Sequence, residues 1–309
     1  MLDGVSLDQL RTFVVAAEAG SFSAAARKLS RAQSMVSELV SNLEGQLGVA
    51  LFDRSGRYPK LTAEGGILLA DARNILAGVE DLKTRASGMS SGLEPELSVV
   101  VDVFFPIEAI TETAREFEKK FPTVPLRLYV EALGSAYQPV MDGRATVGVV
   151  GSLPLLPPGL MIERLLGVAF VMVAARDHPL ASVPEPIPKR ELGRHTQLVL
   201  TDRSELSAGR EFGVMSGSTW RLADLSAKHA FLLNGLGWGG MPAHTVAGDM
   251  AEGRLVELTI EDGPPGGFIL QMSAIYPIAR APGPAGRWFI EHLRTYHAGY
   301  PATSRKPVP

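Results

Sequence analysis

A chain of 309 residues with 46% hydrophobic and 20% charged residues has room for two or three domains and is too apolar for disorder. It has no cysteine, which excludes disulfides, thiolate metal sites and cysteine nucleophiles. The formal net charge of −3 excludes a protein that coats nucleic acid by charge alone.

Residues 1–20 show no basic segment followed by an apolar run, and no window reaches about eighteen unbroken apolar residues. Neither a signal peptide nor a membrane span is expected, so the chain reads as cytoplasmic. Ser6-Leu7-Asp8-Gln9 has the spacing of a capping box. Leu7, Leu10, Phe13, Val14 and Ala17 follow at helical spacing until Gly20 stops the helix. Ser21 opens a second short helix, in which Ala24, Ala25 and Ala26 permit close packing. Ser30-Arg31-Ala32-Gln33 reads as another capping box, opening a helix that ends near Leu47.

Wound at about 100° per residue, that third helix gathers Val36, Leu39, Val40, Leu43 and Leu47 on one side. Ser34, Ser37, Glu38, Ser41 and Gly45 fall on the other. Small hydrogen-bonding side chains with one charge suit close approach to another surface, and a major groove admits an α-helix. Val49 to Leu61 then reads as two short extended pieces about a Ser-Gly turn, with Arg54, Arg57 and Lys60 around it. Between residues 27 and 60 six basic residues face three acidic ones, a local excess inside a negative chain.

As a set, Leu10-Arg11-Thr12-Phe13, Gly20-Ser21-Phe22-Ser23-Ala24-Ala25-Ala26, Gln33 to Ser37, Leu43-Glu44, Leu47-Gly48-Val49, Leu51-Phe52-Asp53-Arg54 and Leu61-Thr62 resemble the winged helix-turn-helix of LysR-type transcriptional regulators. The resemblance implies that Gln33, Ser34 and Ser37 approach bases, while Arg54, Arg57 and Lys60 approach phosphates. Phosphate contacts set register and groove contacts select sequence. Ser23, Arg31, Glu38 and Ser41 complete the expected DNA-binding set. Three positions depart from the family pattern. Ala32-Gln33-Ser34 stands for Ser-Gln-Pro, Met35 for a small residue, and Glu38 for Arg. A carboxylate near the groove accepts from cytosine N4 and repels phosphate, so Glu38 bears on operator preference.

Thr62 caps the next predicted helix, and Leu68, Ala72, Ile75, Val79, Leu82 and Ala86 recur with a period of about 3.5. This narrow seam predicts a dimer; the resemblance implies a homodimer, with homotetramers common in the family. Ser87 to Pro95 ends the helix as a connector. From Leu97 onward strands alternate with helices in a βαβ rhythm. Strands are predicted at 97–103, 126–130, 146–150, 168–174, 197–200, 255–259 and 268–276. Helices are predicted at 107–121, 139–142, 225–233, 245–252 and 287–296.

The expected organisation is therefore multidomain: an α-rich winged helix-turn-helix unit at 1–61, a dimerising helix and connector at 62–95, an α/β effector domain of two Rossmann-like lobes at 96–300, and a tail at 301–309. Lobe 1 would span about 96–161 and 267–300, and lobe 2 about 162–266. Asp177-His178-Pro179-Leu180-Ala181 and Gly235 to Pro242 resemble landmarks of the family's effector domain, which is shaped like a periplasmic solute-binding protein.

Gly235, Gly237 and Gly240 satisfy G-x-G-x-x-G, but a helix precedes them and Met241-Pro242 follows, the wrong context for a phosphate cradle. The six His lack metal-ligand spacing, and no nucleophile elbow is present. An enzyme is not expected, and no cofactor is implied. A solute-binding protein or a nucleotide-dependent enzyme would use only the C-terminal region and leave residues 1–86 without a purpose. The expected partners are double-stranded DNA, a small-molecule effector and further copies of the chain, with no membrane. Strand ends supply the expected effector site: Asp102, Val103, Phe104 and Phe105, then Gly151 and Ser152, then Thr201 and Asp202, with Trp238 from the glycine run. The family offers Ser or Thr at the position of Asp102, and many of its effectors are small carboxylates. A buried Asp102 disfavours an anion, which predicts a neutral or amine-bearing ligand. Equally, Asp102 could cap the following helix or pair with a basic residue such as Arg221.

Overall fold

The computed structural model describes residues 4–296 except 57, 91, 154–156, 209 and 265. Its contacts divide it into two units, Met1–Ser90 and Ser91–Pro309. None of its described helices is long and apolar enough to cross a membrane.

Side-chain caps start three of the four helices of the first unit. Ser6 Oγ accepts from the Gln9 N–H at 3.2 Å and Gln9 Oε1 accepts from the Ser6 N–H at 2.7 Å, a reciprocal cap that opens α1 (Leu7–Ala19). Gly20, with φ of 67°, closes it. Ser21 caps α2 (Phe22–Leu29) through the Ala24 N–H. The start of α3 (Gln33–Leu47) differs from the expectation. Ser30 adopts a left-handed φ of 54° and closes α2, donating its N–H to the Ala26 and Arg27 carbonyls. The N-cap of α3 is Ala32, which has no side chain to bond. A residue used to close one helix here stands two positions too early to cap the next.

Val36, Val40 and Leu43 are fully buried on the inner side of α3, against Phe13, Ala25 and Leu51. Phe13 and Phe22 set their rings edge-on to Phe52, with centroids 5.7 and 5.3 Å away. Strands β1 (Phe52–Asp53) and β2 (Lys60–Leu61) pair antiparallel as a short wing. Thr62 Oγ1 then accepts from the Gly65 N–H at 2.9 Å and opens α4 (Ala63–Ser90), which runs past the predicted end of the helix.

The predicted seam along α4 splits in two. Ala72 is buried and Leu68 partly buried in this unit's own core, beside Leu69 and Leu76. Those two seam positions already have partners, because the first turns of α4 pack on α1, where Arg73 also pairs with Glu18. Farther along, Ile75 is 49% and Leu82 66% exposed, in line with the exposed Ile67 and Ala86 and the half-buried Val79.

In the second unit, β3 (Leu97–Asp102) is buried on both faces, as a central parallel strand should be. Helix α5 (Ile107–Lys120) leads to β4 (Leu126–Glu131), and the short α6 (Gln138–Met141) to β5 (Val147–Val150). Both strands run parallel to β3. The expected strand 168–174 is instead part of a 16-residue strand, β6 (Leu160–Ala175). After α7 (Lys189–Leu192) come β7 (Gln197–Leu200), β8 (Thr219–Leu222), α8 (Leu225–Leu233), β9 (Trp238–Pro242), α9 (Ala243–Ala251), β10 (Leu255–Glu257), β11 (Phe268–Pro277) and α10 (Pro284–Thr295).

The strands join in the order β4-β3-β5-β11-β6-β9-β7-β8, with β10 also on β6. Strands β6 and β11 pair antiparallel from Leu160–Pro277 to Phe170–Phe268, so they carry the chain between a first lobe around β3–β5 and a second around β7–β9. Returning to lobe 1, α10 sets Trp288 against Phe117 and Phe121 of the α5 side, with centroids 6.1 and 5.7 Å apart. Glu163 of β6 ties this return together by accepting from Tyr276 at 2.6 Å and from Arg294 at 2.6 Å, and from Arg287. These donors, Arg287 foremost, hold its carboxyl down at about 2. Strands β8 and β9 lie outside the predicted set. The four residues of β8 are too few to show a period, and the glycines of β9 hide a fully buried strand.

Candidate functional site

The outward side of α3 is the first candidate. Gln33, Ser34, Met35, Glu38 and Ser41 are exposed and Ser37 half-buried, while Val36 and Val40 turn inward. Short hydroxyls, the Gln33 amide, the Met35 thioether and the Glu38 carboxylate are left facing outward. Behind it, the Arg54 guanidinium donates to Ser41 Oγ at 2.9 Å and to Glu44 Oε2 at 2.6 Å, and lies 5.3 Å from the centre of the Phe22 ring. Glu44 Oε1 accepts from the Leu51 and Phe52 N–H groups at 2.9 and 3.0 Å. Arg54 and Glu44 together fix the wing's first strand to α3. Arg54 keeps 40% side-chain exposure, so part of its guanidinium still faces outward.

Arg31 is similarly engaged. It donates to Asp8 at 2.7 Å and holds that carboxyl below the usual carboxylate range. Ser23 accepts from Arg27 at 3.2 Å. Lys60 is exposed on β2, opposite Asp53. Arg57 lies outside the described residues.

A cavity of 460 Å³ between the lobes is the second candidate, a size typical of small-ligand pockets. Lobe 1 contributes Phe104, Leu133, Gly151 and Ser152, and lobe 2 contributes Leu198, Leu200, Thr201 and Asp202. Of the predicted effector residues, Phe104, Gly151, Ser152, Thr201 and Asp202 therefore line one space. Asp102, Val103, Phe105 and Trp238 do not.

Each of those four has another role or place. Asp102 is fully buried and accepts from the N–H groups of Phe104, Gly151 and Ser152 at 3.0, 3.3 and 2.9 Å, and from the Ser152 hydroxyl. Burial keeps its pKa above the usual carboxylate range despite these donors. It neither caps α5 nor pairs with Arg221, whose partner is Glu211; it joins the ends of β3 and β5. Phe105 belongs to the core, and Val103 donates its N–H to the Glu131 carbonyl. Trp238 is fully buried among Leu180, Ile187 and Leu192, its indole N–H directed to the His195 carbonyl at 3.3 Å. With Asp102 engaged in this way and off the cavity lining, the expectation of a neutral or amine-bearing ligand loses the residue it was drawn from.

Sequence reading missed Lys228. This α8 residue is 4% exposed and lines the cavity, and its Nζ donates to the Gly240 carbonyl at 2.7 Å. Burial lowers its pKa to about 8. The signal was there: Leu225, Lys228 and Leu232 share one helical stripe, and the other two are buried. The glycine run serves the same region. A side chain at Gly239 would meet the Leu198 carbonyl at 2.6 Å and Lys228 Cε at 3.3 Å, and one at Gly240 would strike the Phe170 ring.

The lobes also touch directly. The Gly134 N–H donates to Asp202 Oδ2 at 3.0 Å, and Arg203 pairs with Glu131 at 2.7 Å. Among the described residues no group of three or more acidic or histidine side chains could hold a metal ion. His178 is buried, its Nδ1 accepting from the Leu180 N–H at 3.2 Å.

Comparisons with known proteins agree over most of the chain. A family model described as the LysR substrate binding domain matches residues 90–298, and one for bacterial regulatory helix-turn-helix proteins of the lysR family matches residues 7–66. The HTH-type transcriptional regulator AceR of Acinetobacter baumannii is 29% identical over 291 residues, covering 94% of this chain and 97% of its own. The probable HTH-type transcriptional regulator YhaJ of Escherichia coli is 31% identical over 261 residues, 81% of this chain and 85% of its own. Two solved structures share the fold. An OxyR mutant from Corynebacterium glutamicum has a TM-score of 0.56 at 22% identity, covering 94% of this chain and 92% of that one. CrgA from Neisseria meningitidis, a LysR-type transcriptional regulator, has a TM-score of 0.51 at 24% identity, covering 94% and 98%.

Proposed function

The chain belongs to the LysR family of transcriptional regulators, with a DNA-binding helix-turn-helix and an effector-binding domain, and from that premise we propose how its residues divide the work. Gln33, Ser34, Ser37 and Ser41 read base edges in the major groove, with Glu38 beside them. Arg54 and Lys60, joined by Arg57, set the register on phosphates. The observation that carries this reading is the outward row of α3, where small polar side chains stand exposed over a fully buried Val36-Val40-Leu43 stripe. Exposed Ile75 and Leu82 make α4 the dimer contact, so that two copies present paired α3 helices to half-sites about one helical turn, or a multiple of it, apart.

The cavity between the lobes holds the effector. A ligand that binds the closed lobes better than the open ones shifts the equilibrium between them, and with it the assembly and the DNA it bends. The protein works without catalysis, in the compartment that holds the DNA, the cytoplasm.

A mobility-shift titration on the DNA upstream of the chain's own gene tests this division. The full chain should bind, and residues 91–309 alone should not. If each dimer makes about six phosphate contacts, affinity should fall roughly 10³-fold between about 50 and 200 mM salt. Binding by residues 91–309, or salt-independent binding by the full chain, would remove the first unit from the interface.

A further inference from the structure

We propose that Lys228, together with Thr201, is the anion-reading end of the cavity, and that the effector is an organic acid whose carboxylate lies against lobe 2 while an apolar or aromatic body runs along a wall of phenylalanines. The inference rests on the reading of the cavity as the effector pocket, and adds to it the charge and orientation of what enters.

A buried ammonium carries three donors, and Lys228 Nζ has a single hydrogen bond, to the Gly240 carbonyl. No carboxylate pairs with it among the described residues, and burial alone acts on its charge. The other charged groups lining the cavity are already engaged or exposed. Arg221 pairs with Glu211, Asp202 accepts from the Gly134 and Ser204 N–H groups, and Arg210 is exposed. Thr201 Oγ1, on the same lining, is the one buried side-chain polar atom without a hydrogen-bond partner among the described residues. Orphaned buried polar groups are costly and rare. A cation and a hydroxyl, both under-bonded and lining one cavity, are two donors available to the oxygens of an anion.

The opposite wall cannot take that role. Asp102 stands where a free donor would be needed in lobe 1 and is itself an acceptor, already saturated by its neighbours. Much of the remaining lining is apolar, and aromatic rings dominate one side of it. Phe104 and Phe170 lie 5.0 Å apart, and Phe170 and Phe268 5.2 Å apart, centroid to centroid, forming a continuous strip of rings. An acid with a flat or branched apolar body satisfies both ends of the cavity. A dicarboxylate would bury its second charge against the rings.

The test uses the full chain and three matched probe pairs, indole-3-acetate, 4-phenylbutyrate and benzoate with their primary amides, titrated by calorimetry. At least one carboxylate should bind more tightly than its amide by about 10- to 100-fold, the usual worth of a charge-assisted hydrogen bond. In Lys228→Met, which keeps the side-chain length, that preference should vanish while amide binding and the ligand-free melting temperature do not fall. Thr201→Val should lose a smaller part of the preference. No carboxylate binding better than its amide, or a preference retained in Lys228→Met, overturns the proposal. A large fall in ligand-free melting temperature in Lys228→Met also overturns it, since the lysine would then be a structural prop. Ser207→Trp, which puts a large ring into the cavity lining, keeps the two readings apart. Probe binding unchanged in that variant would sink the pocket itself rather than its charge.

Discussion

A chain carrying Ile75→Glu and Leu82→Glu should sediment as a monomer and bind its operator on the order of 10²- to 10⁴-fold more weakly than the wild type. The size of the loss follows from geometry rather than from any damaged DNA contact. Two linked recognition helices bind as one ligand, the second at high effective concentration, and a monomer forfeits that advantage. Both side chains are exposed in the single chain, at 49% and 66%, so charging them costs the monomer little. In a dimer each would bury apolar surface worth about 1.5–3 kcal/mol per copy, and a buried glutamate would oppose it. Ala72→Glu is the contrasting variant. Ala72 belongs to the first unit's own core, so this change should unfold that unit instead of merely separating copies. Sedimentation and mobility shift, run on the same preparations, check both. A double variant that stays dimeric would move the interface off this stretch of α4.

Gly134→Val should leave operator affinity intact and abolish the response to effector. Gly134 sits in the short turn Leu133–Ala136 of lobe 1, where the Asp202 segment of lobe 2 comes against it. A Cβ at this position would overlap Ser204 Oγ and Asp202 and stand 2.8 Å from Leu206 Cβ. Space for a valine exists only with the lobes held apart. Overpacking of this kind costs about 1–3 kcal/mol, a shift of roughly 5- to 150-fold toward the open form. Calorimetry of the carboxylate probes beside mobility shifts would show the separation. If Gly134→Val binds and responds like the wild type, the direct lobe contact has no part in closure.

How much of this was legible in the chain depended on the range over which each residue acts. Caps act over three residues, and Ser6, Ser21 and Thr62 could be read directly. The buried stripe of α3 followed from one helical period, as did the exposed row opposite. Ser30 shows where short-range reading ends, because it closes α2 through its backbone N–H in a left-handed turn instead of capping α3 with its side chain. The cavity required long-range facts. Asp102 and Ser152 are fifty residues apart in sequence and bonded in space, and only that pairing shows Asp102 to be structural. Trp238 was expected at the effector site because it stands in a glycine run, yet those glycines are what let β9 press against β7 and Phe170. Lys228 resembled any surface lysine until its stripe was compared with Leu225 and Leu232. The expectation of a neutral or amine-bearing ligand rested on the burial of Asp102, which is correct, but that carboxylate is taken up by Phe104, Gly151 and Ser152 and does not line the cavity.

The central claim, that the outward row of α3 lies in the groove, is tested most directly at Glu38. This exposed carboxylate is the one acidic side chain of that row and repels phosphate wherever the helix approaches DNA. Competitive mobility shifts with randomised half-sites would compare the wild type with Glu38→Arg. Higher affinity for DNA in general, together with a changed base preference within the half-site, is the result predicted here. Unchanged affinity and unchanged preference would mean that this side of α3 faces away from DNA.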